Sequence, residues 1–214
     1  VARSALRPAE VDAFRRRLAA AATRLFARHG YAAVTMRAVA AELGVSAMTP
    51  YRYVAGKAEL VALVRAAAFT RFAAALAVAE PDAAEPDASG APLPRLRQLK
   101  AAYLRFALAH PDDYRVMFEL RAPDDDTRWP ELERASAAAF AHLQGAVDAA
   151  IAAGELAGEP RSLAQLLWAS THGLVALHLA GKLSGRAFAR LAAIDHELAG
   201  FRPAGSPTPR RRRS

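Results

Sequence analysis

Residues 35–60 read TMRAVAAELGVSAMTPYRYVAGKAEL. Thr35 is a good N-cap for a short helix whose buried face holds Val39 and Leu43. Gly44 makes a tight turn, and Ser46 caps a second short helix reaching about Tyr53. Two short helices joined by a glycine turn need a third beneath them. The segment Asp12 to Arg28 supplies it, with Phe14, Leu18, Ala21, Leu25 and Phe26 at helical spacing and Gly30 as its stop. This is the layout of a helix-turn-helix, whose second helix enters the major groove of DNA led by its N-terminal residues.

The residues at that end suit the task. The helix begins Ser46-Ala47-Met48-Thr49. Thr49 can hydrogen-bond a base edge or a phosphate, and Ala47 and Met48 can meet a thymine methyl. Arg52 is placed for guanine or for phosphate, and Tyr51 and Tyr53 offer hydroxyls to phosphate. Lys57 adds positive charge at the start of the next helix, whose N-terminus is already an anion site. Pro50 lies inside the second short helix. It removes one N–H from the ladder and tightens the first turn.

Charge agrees with this reading. The chain of 214 residues carries a net +8. Residues 1–70 hold 11 Lys/Arg against 4 Asp/Glu, residues 71–202 hold 14 against 17, and the last twelve add four arginines, Arg210 to Arg213. A basic module on a slightly acidic body is the pattern of a protein that meets phosphate with one part only. The Arg15–Arg17 run and Arg24 suit a solvated face as well as phosphate contact.

The rest of the chain reads as helices. Lys57 to Ala79 is long, with Leu60, Val64, Ala67, Ala68 and Phe72 on one side. Residues 80–94 are rich in Pro, Asp and Glu and read as a flexible connector. Helices are expected over Pro94–Ala109, Pro111–Leu120, Pro130–Ala153, Pro160–Leu183 and from Ser184 onward, the last with Phe188, Leu191, Ile194 and Leu198 aligned. The helix from Pro160 is apolar nearly all round and so is expected to be covered on more than one side. The fold class is therefore all-α with about nine helices. A three-helix module over 1–56 is joined by a long helix to a helical domain over 57–202, with a disordered basic tail over 203–214.

At these residues the chain resembles the tetracycline-repressor family of transcription regulators. Gly30-Tyr31, Thr35, Val39-Ala40, Leu43-Gly44-Val45-Ser46, Thr49, Tyr51, Tyr53, Lys57 and Leu60 carry the resemblance. Pro50 stands where leucine is usual, Tyr53 where histidine is common, and Gly56 where a Ser or Asn cap is usual. The resemblance implies a homodimer, a palindromic double-stranded operator, and release when a small-molecule effector binds the C-terminal domain. It places Thr35, Tyr51, Tyr53 and Lys57 at phosphates, and Arg37, Ala47, Met48, Thr49 and Arg52 at bases. Trp168 with His172-Gly173, and His110-Pro111 with Tyr114, Met117 and Phe118, resemble a subgroup with a Trp…His-Gly signature.

Trp168 and His172 share one helix face, as an effector pocket or as core. Tyr103, Phe106, Tyr114, Met117, Phe118 and Phe140 read singly as core and together as pocket lining. The two helices after Pro160 are the expected dimer interface. Cysteine is absent, which removes disulfides and thiolate zinc sites and fits a reducing cytoplasm. No run of about 18 apolar residues free of charge suggests a membrane span. The acids at 112–113 and 124–126 fit no calcium loop. No phosphate loop or nucleophile elbow appears, so neither a cofactor nor catalysis is expected. The competing reading is a helical ligand-binding or adaptor protein without specific DNA binding.

Overall fold

A computed structural model describes residues 7–78, 92–123 and 128–193. Among them are eight α-helices, one 3₁₀ turn and no strand. The helices are α1 (Pro8–Ala33), α2 (Met36–Glu42), α3 (Lys57–Ala77), α4 (Pro92–Ala109), α5 (Pro111–Phe118), α6 (Pro130–Ala152), α7 (Pro160–Leu179) and α8 (Gly185–Ala192); the 3₁₀ turn is Pro50–Arg52. Most of the connector expected over 80–94, the acids Asp124 to Asp126, Ile194, Leu198 and the arginine tail lie outside the described residues.

Proline and glycine set most boundaries. Five of the eight helices start on a proline, a position whose N–H would have no helical partner in any case. Pro8 starts α1 four residues before the expected Asp12, and the Arg7 N–H donates to the Glu10 carboxylate at 3.1 Å. At the other end Gly30 breaks α1 with φ 72° and ψ 175°, and one further turn follows to Ala33. The α2 helix ends at Leu43. Gly44 takes φ 67°, its N–H donates to Ala41 O at 3.0 Å, and the Val45 N–H donates to Ala40 O at 3.0 Å. This paired bonding closes a helix through a left-handed residue, which glycine adopts without a Cβ clash. Side-chain caps start three helices. Thr35 Oγ1 accepts from Ala38 at 3.1 Å, Ser184 Oγ from Ala187 at 3.2 Å, and Glu159 from Arg161 at 3.0 Å and Ser162 at 2.6 Å.

The chain forms two compact units. One comprises Val1–Ala74 and Ala107–Ala139, the other Ala75–Phe106 and Phe140–Ser214. In the first, α1 packs on α2 and on α5, and α2 on the 3₁₀ turn. Its core holds Leu18, Phe26, Val39, Pro50, Leu60, Val64, Tyr114 and Val116. The α3 helix is long and apolar enough to cross a membrane by length and composition alone, where no such run was expected. Its side chains from Leu60 to Phe72 are nevertheless largely buried in the protein, and two arginines interrupt it. Arg65 donates from Nε to Val116 O at 3.2 Å and from Nη2 to Leu120 O. Arg71 grips Asp113 in a fork, Nε to Oδ2 at 2.8 Å and Nη2 to Oδ1 at 2.6 Å. The second unit buries Leu96, Leu99, Tyr103 and Phe106 of α4, Ala146, Val147 and Ala150 of α6, Leu163, Leu167, Thr171 and Val175 of α7, and Phe188 of α8. There α7 packs on α8, and the His178 ring stacks on Phe188 with centroids 4.3 Å apart.

Two outcomes follow for stability. Asp113 is almost buried and its bond to Arg71 is bidentate, so a double-mutant cycle of Arg71→Met and Asp113→Asn in urea unfolding will show a coupling of about 1–2 kcal/mol; additive effects would contradict it. The hydrogen bonds from Ser162, and then from the Arg161 backbone, hold the Glu159 carboxyl below its ordinary range. A lowered folded pKa stabilises above the unfolded value and is lost as pH falls through the folded one. Melting curves of Glu159→Ala will therefore lie below the parent at neutral pH and converge with it as the carboxylate range is passed on acidification.

Candidate nucleic-acid interface and apolar cavity

Between Ser46 and Tyr53 the expected helix is replaced by a tighter form. Ser46 Oγ accepts from the Met48 N–H at 3.3 Å, and Ser46 O from the Thr49 N–H at 2.9 Å. Position 50 would supply the next bond to Ser46 O, but proline has no N–H. Arg52 then donates to Thr49 O at 3.1 Å and Tyr53 to Pro50 O at 2.9 Å. All three backbone bonds span three residues, the 3₁₀ spacing. Pro50 itself is fully buried, so the residue that breaks the ladder also anchors the turn.

The anchored turn presents its neighbours outward. Met48 is 67% exposed and Tyr51 46%; Ser46, Ala47 and Arg52 are exposed and Thr49 is half-buried. On α2, Thr35 and Arg37 are also exposed. Tyr53 is held more firmly. Its ring stacks on Phe14 with centroids 4.1 Å apart, and its carbonyl accepts from Arg15 Nη1 at 3.2 Å. The same guanidinium donates to Glu131 at 2.8 Å through Nη2. Lys57 Nζ lies 4.0 Å from the centre of the Tyr31 ring, and partial burial lowers its pKa. Arg24 pairs with Glu42 at 3.0 Å, while Arg16, Arg17 and Arg28 are exposed. The arginine run of α1 thus divides between internal ties and a solvated face, a division invisible in the sequence.

The second unit contains an apolar cavity of about 50 Å³ that opens to the surface. Its lining is Leu76, Leu96, Leu99, Leu143 and Leu167, with Tyr103, Trp168, Thr171, Arg97 and Lys100. Tyr103 and Trp168 therefore line it. Two further expected residues stand directly behind: His172 Nδ1 is 3.4 Å from Tyr103 Oη, and the Phe140 ring lies 5.2 Å from that of Trp168. Phe106 is buried in the same unit. Tyr114, Met117 and Phe118 belong to the other unit, where Phe118 meets Phe69 edge-on at 5.6 Å and Tyr114 at 5.1 Å. The leucines carried a signal, the i, i+3, i+7 spacing of Leu96, Leu99 and Tyr103, but it did not separate a cavity wall from a core face. Asp113 is bonded to Arg71. Among the described residues no three His, Asp or Glu side chains are grouped to hold a metal.

Comparison with known proteins agrees with these two parts. The profile described as bacterial regulatory proteins, tetR family, matches residues 18–64, and that of the tetracyclin repressor-like C-terminal domain matches 96–201. Among solved structures, a protein of unknown function from Rhodococcus sp. RHA1 is 27% identical, with a TM-score of 0.71 over 87% of this chain and 94% of its own. A TetR family transcription regulator from Marinobacter aquaeolei VT8 is 23% identical, with a TM-score of 0.65 over 85% of this chain and 94% of its own. A bacterial regulatory protein in the tetR family from Rhodococcus RHA1 is 21% identical, with a TM-score of 0.64 over 83% and 92%. No curated protein gives a significant match. With its N-terminal and C-terminal regions each matched to the corresponding family domain, the chain belongs to the tetracycline-repressor (TetR) family of DNA-binding transcription regulators.

Proposed function

We propose that this protein is a cytoplasmic repressor that binds a palindromic operator as a homodimer and leaves it when a small molecule fills the apolar cavity. Residues 1–56 form the DNA-binding module, and residues 57–202 sense the effector and dimerise. The observation that carries the reading is the buried Pro50 beneath exposed Ala47, Met48, Tyr51 and Arg52, on the basic third of the chain. In this reading Ala47, Met48, Thr49 and Arg52, with Arg37, meet base edges. Thr35, Ser46, Tyr51, Tyr53 and Lys57 meet phosphates.

The dimer uses α7 and α8. Leu166 and Leu177 of α7 are each about half exposed. They are eleven residues apart, three turns along one face, and a second copy covering that face would remove them from water. Effector release has a route in α3. That helix starts at Lys57, beside the proposed phosphate contacts, and carries Leu76 in the cavity lining. A ligand that displaces Leu76 acts on the same rigid element. It releases DNA only if it binds the released state more tightly.

Fluorescence anisotropy with DNA taken from beside the protein's own gene tests the DNA side. Arg52→Ala will weaken binding by about 10–100-fold, the discrimination of one good base contact, and log affinity will fall linearly and steeply with log salt. Unchanged binding by the variant, or a flat salt dependence, would overturn the assignment. In sedimentation, Leu166→Glu combined with Leu177→Glu will give a folded monomer; a persistent dimer would place the interface elsewhere.

A further inference from the structure

We infer that the DNA-facing surface selects guanine and thymine rather than adenine or cytosine, with Arg37 of α2 and Arg52 of the 3₁₀ turn each bonded to a guanine, and Ala47 and Met48 packed on a thymine methyl. The inference rests on the reading of this surface as the DNA-binding face and adds the bases it selects.

The inventory of side chains carries it. In the major groove adenine is matched by the amide of Asn or Gln, and cytosine by a carboxylate that accepts from its amine. Residues 35–57 contain no Asn, Gln, His or Asp, and their one acid is Glu42. Glu42 is paired with Arg24 at 3.0 Å. Glu59, two residues beyond, accepts from the Ala55 N–H. Both carboxylates are thus engaged within the protein, and Lys57 lies over the Tyr31 ring.

The side chains left outward have a narrow chemistry. Arg37 and Arg52 are exposed, and neither guanidinium has a partner among the described residues. A planar guanidinium presents two parallel N–H groups. These match the paired acceptors O6 and N7, which guanine alone offers in the groove. Met48 is 67% exposed, and Ala47 beside it is exposed too. A flexible thioether in water gains by covering apolar surface, and the thymine C5 methyl is the apolar group of the major-groove edge. The hydroxyls of Thr49 and Tyr51 donate and accept alike, so they add bonds without choosing a base. An arginine at a phosphate would add affinity and no preference, so the two placements separate experimentally.

The full-length protein is used to select duplexes from a randomised pool, and the selected duplex is then measured by fluorescence anisotropy. Two guanines and a thymine are expected to be fixed in each half-site. Replacing either guanine by 7-deazaguanine, which lacks the N7 acceptor, is expected to weaken binding about fivefold or more. Replacing the thymine by deoxyuridine, which lacks only the methyl, is expected to weaken it about three- to fivefold. Arg37→Ala and Arg52→Ala will each lose the sensitivity at one guanine and keep it at the other, and Met48→Ala will lose the sensitivity to deoxyuridine. A comparable loss on replacing adenine by 7-deazaadenine would overturn the inference. So would arginine variants that weaken every duplex alike and lower the salt slope by about one, the mark of a phosphate contact. A selected duplex indifferent to both the guanine and the thymine replacements would overturn it while leaving DNA binding in place. If no duplex is enriched over random DNA, the reading of this face as DNA-binding falls, and the choice of bases with it.

Discussion

Two arginines of α3 tie it to α5. Arg65 finds carbonyls at the end of α5, and Arg71 finds the carboxylate of Asp113 in its first turn. The α5 helix has eight residues, too few to persist alone in water. Clamped at both ends, it runs antiparallel to α3 and presents the platform on which α1 packs. The helix-turn-helix rests on α1. A small number of charge-assisted bonds therefore fixes the base on which α1, α2 and the 3₁₀ turn stand.

The same economy governs the other cations of the N-terminal third. Arg15 ties the carbonyl of Tyr53 to Glu131, Arg24 is paired with Glu42, and Lys57 lies over the Tyr31 ring. Arg16, Arg28, Arg37 and Arg52 stay exposed. The net charge of the segment overstates the charge that faces outward, because part of it is neutralised within the protein. A steep field at the surface then depends on few side chains.

Much of the architecture was legible in the chain. Prolines at helix starts, glycines at helix ends and the Thr35 and Ser184 caps are local signals with local causes. The early start of α1 was missed because Pro8 and Glu10 stand in a stretch without apolar periodicity. The 3₁₀ turn was half legible: the missing amide of Pro50 announced a tightened first turn, but not that the tightening would persist to Tyr53. Trp168 and Tyr103 stood out as aromatic candidates for the cavity. Arg97 and Lys100 did not, since a cation on a helix reads as solvated until its neighbours are known. Tyr114, Met117 and Phe118 belong to the other unit because α5 packs with α1 and is bonded to α3, partnerships that no periodicity encodes.

The buried Pro50 separates support from display. The turn is held from beneath by a ring without an amide, and from the side by the Phe14–Tyr53 stack. Ala47, Met48, Tyr51 and Arg52, facing outward, contribute little to that support. Substitutions at exposed positions generally change stability by only a few tenths of a kcal/mol. A lineage built on this turn can therefore exchange its outward residues one at a time without passing through unfolded intermediates. Adaptability of this kind comes from a rigid joint rather than a flexible one.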